Sequence, residues 1–216
     1  MYKACIFDLD GTLTDTLDSL WYSVNETLKQ LGVKMISREQ CRGFVGDGAR
    51  CLVERALRAT GDVELERIED AMQIFGRVFS EKCTYHVAPY EGILSLLEEL
   101  KNRGLAIAVF TNKPHQQAVD VVESIFGRGM FDEIRGQRDG FPKKPDPAGL
   151  FEITKDLGIK KDEVIYVGDS EVDVQTGKNA QVFTVGVNWG FRSKEILERS
   201  GVDVTIDHAD ELLRFL

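Results

Sequence analysis

Cysteine is scarce and unorganised. Cys5, Cys41, Cys51 and Cys83 include no Cys-x-x-Cys pair and have no cluster of histidines beside them, which argues against zinc and dithiol chemistry and leaves reduced packing thiols. Basic charge is also in short supply: 27 Lys and Arg face 36 Asp and Glu, a formal charge of −9. A polyanion would be repelled over most of such a surface, so a general binder of nucleic acid or anionic membrane is disfavoured, and any phosphate site must be basic only locally. No apolar run is long enough for a membrane span or a signal peptide, and Met1-Tyr2-Lys3 leads directly into the first apolar stretch. A cytoplasmic protein without a membrane partner is the expectation. Hydrophobic residues make up 43% of the 216, enough to core one large domain or two small ones.

Acids, by contrast, gather where a strand stops. Ala4–Phe7 is a short apolar run of the kind that fills a buried parallel strand, and Asp8-Leu9-Asp10-Gly11 follows at once. Residues two apart on an extended chain point to one side, so Asp8 and Asp10 are expected to converge, with Gly11 turning the backbone away. Open α/β sheets bind ligands at that place, beyond the carboxyl end of a strand. Two close carboxylates repel unless a cation lies between them, which suits a hard divalent ion such as Mg2+; a solvated acidic turn is the alternative for a bare Asp-x-Asp. A calcium loop counted from Asp8 fails, because Leu13 and Ser19 stand where its Gly and Glu belong.

The pattern then turns helical. Leu17, Leu20, Trp21, Val24, Leu28 and Leu31 recur at three- and four-residue steps up to Gly32, and Ser37-x-x-Gln40 resembles a capping box. Gly46-Asp47-Gly48 precedes a stretch carrying Leu52, Val53, Ala56 and Leu57, and a third carries Leu65, Ile68, Met72, Phe75 and Phe79. From Pro89 on, short apolar runs alternate with helical patterns. A helix is expected over 93–100, with strands at 105–110, 131–134, 164–167 and 182–187. Pro114 is placed to open one helix, Asp146-Pro147 another reaching Leu157, and Asp207 or Asp210 to cap a last one. The order predicts an α/β fold: a doubly wound parallel sheet, Rossmann-like, formed by 1–14 and 89–216, with 15–88 as an all-helical insert after the first strand.

Three further stretches fall at strand ends. Thr111-Asn112 offers a hydroxyl, an amide and helix N–H groups to a phosphate oxygen, or else caps the helix behind Pro114. Lys143-Lys144-Pro145-Asp146-Pro147 holds two lysines on a stiffened chain, either aimed at an anion or solvated. Gly168-Asp169-Ser170-Glu171-Val172-Asp173 places two acids four apart, on one face if a helix starts there, where first-turn acids also suit the helix dipole. An acid pair, a Thr-Asn, a lysine loop and a second acid pair come in the order that a phosphoryl-transfer site needs.

Asp8 to Asp15, Thr111-Asn112-Lys113, Lys144-Pro145-Asp146-Pro147 and Gly168-Asp169-Ser170 with Asp173 resemble the four motifs of the haloacid dehalogenase superfamily of phosphohydrolases. Within it, 46–57, 111–114 and 167–180 resemble the phosphoglycolate phosphatase branch. The resemblance implies Mg2+-dependent hydrolysis of a small phosphomonoester, 2-phosphoglycolate the first candidate, through an aspartyl-phosphate. It makes Asp8 the nucleophile and Asp10 the acid and base. It gives Mg2+ to Asp8, the Asp10 backbone carbonyl and Asp169, with Asp173 in support, and the transferring phosphoryl to Thr111 and Lys144, with Asn112 beside them. The insert becomes a cap, whose Gly48 and Arg50 are candidate contacts for a substrate carboxylate, a solvated Arg50 being the alternative. A phosphomutase or pyrophosphatase on the same scaffold, or a non-catalytic phosphate-binding module, competes with this reading; a monomer or weak homodimer is expected. Two departures stand out. Gln181 follows Ala180 where the family has a Gly for a left-handed turn, and Phe141-Pro142 precede the lysine loop where polar residues are usual.

Overall fold

The computed structural model describes all 216 residues. Strand β1 (Ala4–Phe7) is followed by a two-residue strand, β2 (Thr14–Asp15), and then by helices α1 (Leu17–Gln30), α2 (Arg38–Phe44), α3 (Ala49–Ala59) and α4 (Ile68–Lys82). The return passes through β3 (Ala88–Pro89), which pairs antiparallel with β2, so the chain leaves for the helical segment and comes back side by side. Next come α5 (Ile93–Asn102), β4 (Ala106–Pro114), α6 (His115–Phe126), β5 (Glu133–Gln137) and α7 (Ala148–Asp156). The chain closes with β6 (Val164–Gly168), α8 (Glu171–Ala180), β7 (Phe183–Val187), α9 (Lys194–Ser200), β8 (Val204–Ile206) and a 3-10 segment, Ala209–Phe215.

The main sheet runs β5-β4-β1-β6-β7-β8, every pair parallel. Both faces of its central strands are covered, which is why they read as unbroken apolar runs. Cys5, Phe7, Val109 and Val167 face α5 and α6, in a cluster that continues into the insert through Leu28 and Phe75. Ala4, Ile6, Ala108 and Tyr166 face Leu150 and Ile153 of α7 on the other side. No helix is long and apolar enough to cross a membrane.

Several boundaries differ from the sequence expectation, each for a local reason. Strand β4 runs on through Thr111, Asn112 and Lys113, and Pro114 caps α6 from outside. Phe110 lies opposite Arg135 but Pro114 opposite Gln137, so three residues bulge against Gly136 alone. A Cβ on Gly136 would sit 2.5 Å from the His115 Cα and 2.7 Å from the Lys113 carbonyl oxygen, so only glycine lets the strands close over the bulge. Phe131 stands before β5, packed edge-on against Phe126. The capping box Ser37/Gln40 is present, but it opens the separate helix α2. Neither Asp207 nor Asp210 caps the last segment: Glu211 accepts from the Asp207 and His208 N–H groups. Gln181 adopts φ 59°, ψ 46°, so the left-handed turn after α8 is built without its glycine.

Candidate active site

The carboxyl ends of β1, β4 and β6 lie side by side and deliver Asp8, Thr111 and Asp169 to one place, all three buried. Lys144 joins them from the loop between β5 and α7. Its Nζ lies 2.9 Å from Asp8 Oδ1 and donates to Asp173 Oδ1 at 2.7 Å and to the Tyr166 hydroxyl at 3.2 Å. Asp173 was expected on one helical face with Asp169; in fact Asp169 precedes the N-cap of α8, and Asp173 is the third residue of its capping box with Ser170. Asp173 Oδ2 accepts from the Ser170 N–H at 3.1 Å and hydroxyl at 2.5 Å, and Oδ1 from Lys144 and, at 2.8 Å, from Tyr166. Four bonds fill the lone pairs of that carboxylate, which therefore holds Lys144 in place.

Asp8, Asp169 and Asp173 each present a carboxylate oxygen within 4.8 Å of the others. Burial pushes Asp8 up to about 7 against the pull of Lys144. Burial likewise drives Asp169 well above the carboxylate range, with Asp173 and Asp8 adding to it. Burial alone would lower Lys144, but Asp173 and Asp8 outweigh it and hold the ammonium above its ordinary value. One ammonium thus faces three buried carboxylates, and Asp8 Oδ1, close as it is to Lys144, makes no hydrogen bond of acceptable geometry. An all-oxygen pocket with surplus negative charge fits a hard divalent cation. Asp169 is held for that role: Oδ2 accepts from the Phe191 N–H at 2.7 Å and Oδ1 from the Thr12 hydroxyl at 3.3 Å. Gly11 and Gly190 lie against it so closely that a Cβ on either would strike its side chain.

Asp10 departs from expectation. Its carboxylate lines the same cleft as Asp8 but turns to Lys113, whose Nζ donates to Asp10 Oδ1 at 2.8 Å. Each of the two acids thus has a lysine of its own beside it, Lys144 at Asp8 and Lys113 at Asp10. Asn112 is also differently employed. Its amide donates to the carbonyls of Gly46 and Lys144, both at 3.1 Å, and accepts from the Lys144 N–H at 2.8 Å, so the side chain ties the lysine loop and the insert to β4. Thr111 and Gly48 line the cleft, Gly48 close against the Asn112 carbonyl. Arg50 does not: it is bound on the outer surface to Glu54 and Glu69 at 3.1 and 2.6 Å. The next turn of α3 and helix α4 carry acids that capture it before it can reach the cleft.

The cleft lies between sheet and insert, roofed by Leu20, Leu52, Phe75 and Phe79. Two arginines cross its rim in opposite directions. Arg42 of α2 donates to the carbonyls of Gly190 at 2.7 Å and Phe191 at 3.3 Å. Arg192, from the loop after β7, donates to those of Arg42 at 3.2 Å and Val45 at 2.7 Å. Lys113, Tyr166, Ser170 and Arg192 were not singled out from the sequence. Lys113 and Ser170 stand inside quoted motifs but were given no role, and the direction of Lys113 is set by a bulge no local pattern announces.

A buried carboxylate open to a cleft, a lysine beside it and an acidic pocket at the switch point of a doubly wound sheet suit an enzyme of phosphoryl transfer. The model of the haloacid dehalogenase-like hydrolase family matches residues 5–187, and the chain belongs to that family. It is 34% identical over 214 residues to a phosphoglycolate phosphatase of Pseudomonas savastanoi pv. phaseolicola, covering 98% of this chain and 78% of the relative. A crystal structure described as a predicted phosphoglycolate phosphatase from Haemophilus somnus 129PT superposes with a TM-score of 0.92 at 26% identity, over 99% of this chain and 97% of the other. CbbY from Rhodobacter sphaeroides, solved in complex with phosphate, gives 0.82 at 26% identity, over 98% and 96%. The protein is a phosphoric monoester hydrolase.

Proposed function

We propose that the protein is a Mg2+-dependent phosphatase of small phosphomonoesters, working through an aspartyl-phosphate, and that 2-phosphoglycolate is its substrate. The observation that carries the reading is Asp8: a buried carboxylate at the end of the central strand, open to the cleft and paired with Lys144. In the first step a carboxylate oxygen of Asp8 attacks phosphorus, the ester P–O bond breaks, and Asp10 gives its proton to the departing oxygen. Water then attacks the phosphorus of the acyl phosphate, Asp10 takes up its proton, and Asp8 is regenerated with release of phosphate. Thr111 and Lys144 hold the phosphoryl oxygens, and Asp173, through its bond to Lys144, fixes where that ammonium sits. Asp8, Asp169 and the Asp10 backbone carbonyl would hold Mg2+, which when bound neutralises charge building on the phosphoryl oxygens. Residues 15–88 act as a cap over the core of 1–14 and 89–216, and their apolar roof excludes bulk water and leaves space for a small leaving group. The names of the relatives, phosphoglycolate phosphatases over most of their length, support the choice of substrate.

Hydrolysis of a panel of small phosphate esters with and without Mg2+ tests the reading. Turnover is expected only with Mg2+, 2-phosphoglycolate leading; Asp8→Asn is expected to abolish turnover and the phosphoenzyme while melting like the wild type. Metal-independent turnover, or activity retained in Asp8→Asn, would remove this mechanism.

A further inference from the structure

We propose that Lys113 receives a second anionic group on the leaving-group side of the substrate, a carboxylate, and so selects carboxylated phosphomonoesters of two-carbon length; the inference rests on the phosphatase reading above. The argument begins with the cations in and under the cleft. Lys144 is taken by Asp8, Asp173 and Tyr166 and, in the proposed mechanism, by the phosphoryl group itself. Arg192 is spent on Glu171 at 2.9 Å and on the carbonyls of Arg42 and Val45, and Arg50 lies outside on Glu54 and Glu69. Each nitrogen of Arg192 thus has a partner already, whereas Lys113 is the lysine of the cleft with capacity left: an ammonium carries three donors, and this one makes a single hydrogen bond, to Asp10. Its side chain is only 1% exposed, and its other close neighbour is the ring of Phe79, whose centroid is 4.9 Å away.

The position also fits the distances. The acid that protonates a leaving oxygen must come within about 3 Å of it, and Lys113 Nζ is 2.8 Å from Oδ1 of that acid. In a two-carbon ester the carboxylate begins two bonds after the same oxygen, which brings it beside the ammonium. The apolar part of the roof, Leu20, Leu52, Phe75 and Phe79, offers an anion no donor, and the other donors on the insert's side are the N–H groups at the start of α3, around Gly48 and Ala49, where no side chain caps the helix. A longer leaving group would carry its anion past Lys113 into that apolar wall.

The test compares Lys113→Met on 2-phosphoglycolate and on ethyl phosphate, which has the same carbon count and no carboxylate. A loss shared by both substrates is expected from disturbing Asp10; the inference requires a further loss of roughly 30-fold or more in kcat/KM for phosphoglycolate alone, chiefly in KM, the scale for truncating one member of a buried charge pair. Lys113→Arg should recover part of that difference. Where turnover becomes too slow, calorimetric binding of both esters to Asp8→Asn, with and without Lys113→Met, gives the same comparison. Equal losses on the two esters would overturn the inference and leave Lys113 serving Asp10 only, as would a wild type that turns over ethyl phosphate as readily as phosphoglycolate. A wild type that hydrolyses neither would instead remove the phosphatase reading, while the binding comparison would still decide whether Lys113 meets the carboxylate.

Discussion

Lys144 and Asp169 both touch the acidic pocket, yet the physics asks different things of them. Lys144 is the only cation bonded to Asp8 and Asp173, so Lys144→Met leaves two buried carboxylates facing each other. Breaking a buried pair in this way costs about 3–5 kcal/mol, and denaturant titration should show a loss of that order, with activity that added Mg2+ does not restore. Asp169→Ala removes a proposed Mg2+ ligand and no ammonium. Calorimetry should find weaker Mg2+ binding, and activity should partly return at high Mg2+; unchanged affinity would show that Asp169 is not a ligand. His115 gives a separate handle on pH. Burial, then Arg138 and Arg135, push its pKa below the ordinary 6.5, and its Nδ1 accepts from the Gly136 N–H at 3.3 Å. A histidine that is harder to protonate folded than unfolded has no effect on stability above about 6.5; below it the unfolded chain takes the proton first, and stability falls as pH falls. His115→Gln should flatten that slope in melts recorded down through the window, and an unaltered slope would clear His115 of the effect.

At the scale of elements, the strands and helices that alternate after Pro89 were legible because buried parallel strands are apolar throughout and the helices keep a strict period. What was not legible came from pairing. Strand β5 has one fully buried residue, Gly136, so its sequence carries no apolar run, and the bulge in β4 exists only because β5 lies beside it. The site followed the same division. Asp8, Asp169 and Thr111 could be located from strand ends and Lys144 from its stiffened loop, whereas for Arg50 the surface alternative is the one the structure has: Glu54 is one turn on in the same helix, and Glu69 comes from α4, a pairing the sequence does not show. Gln181 was flagged correctly as an anomaly. It occupies the left-handed region, with its N–H bonded to Lys178 and that of Val182 to Gly177, closing the end of α8. A left-handed residue with a side chain costs about 1–2 kcal/mol, and glycine returns part of this through its freer unfolded chain. Gln181→Gly should therefore stabilise by roughly 0.5–1 kcal/mol, read as a higher melting temperature; a lower one would mean that the exposed bond from Lys161 to Gln181 matters more than the backbone.

Across the whole molecule, the helical segment is joined to the sheet covalently by two adjacent crossings, β2 and β3, by a shared hydrophobic cluster, and by donors reaching backbone carbonyls. Arg192, Asn112 and Lys143 reach from the core to the carbonyls of Arg42, Val45, Gly46 and Asp47, and Arg42 reaches back. The carbonyls that Arg42 grips belong to Gly190 and Phe191, and the Phe191 N–H holds Asp169. One short loop is thus pulled from above by the insert and anchors a metal-facing carboxylate below. Arg42→Ala, which touches neither metal nor substrate, should weaken Mg2+ binding severalfold by calorimetry and speed amide exchange in α2 and α3. An unchanged Mg2+ isotherm would show that the loop holds Asp169 without help from above. Thermodynamic reciprocity then sets a quantitative condition: the factor by which a seated insert tightens the ion is the factor by which the ion tightens the seating. If Mg2+ binds as proposed, its occupancy would therefore be readable in the amide exchange of α2 and α3, helices that make no contact with the ion.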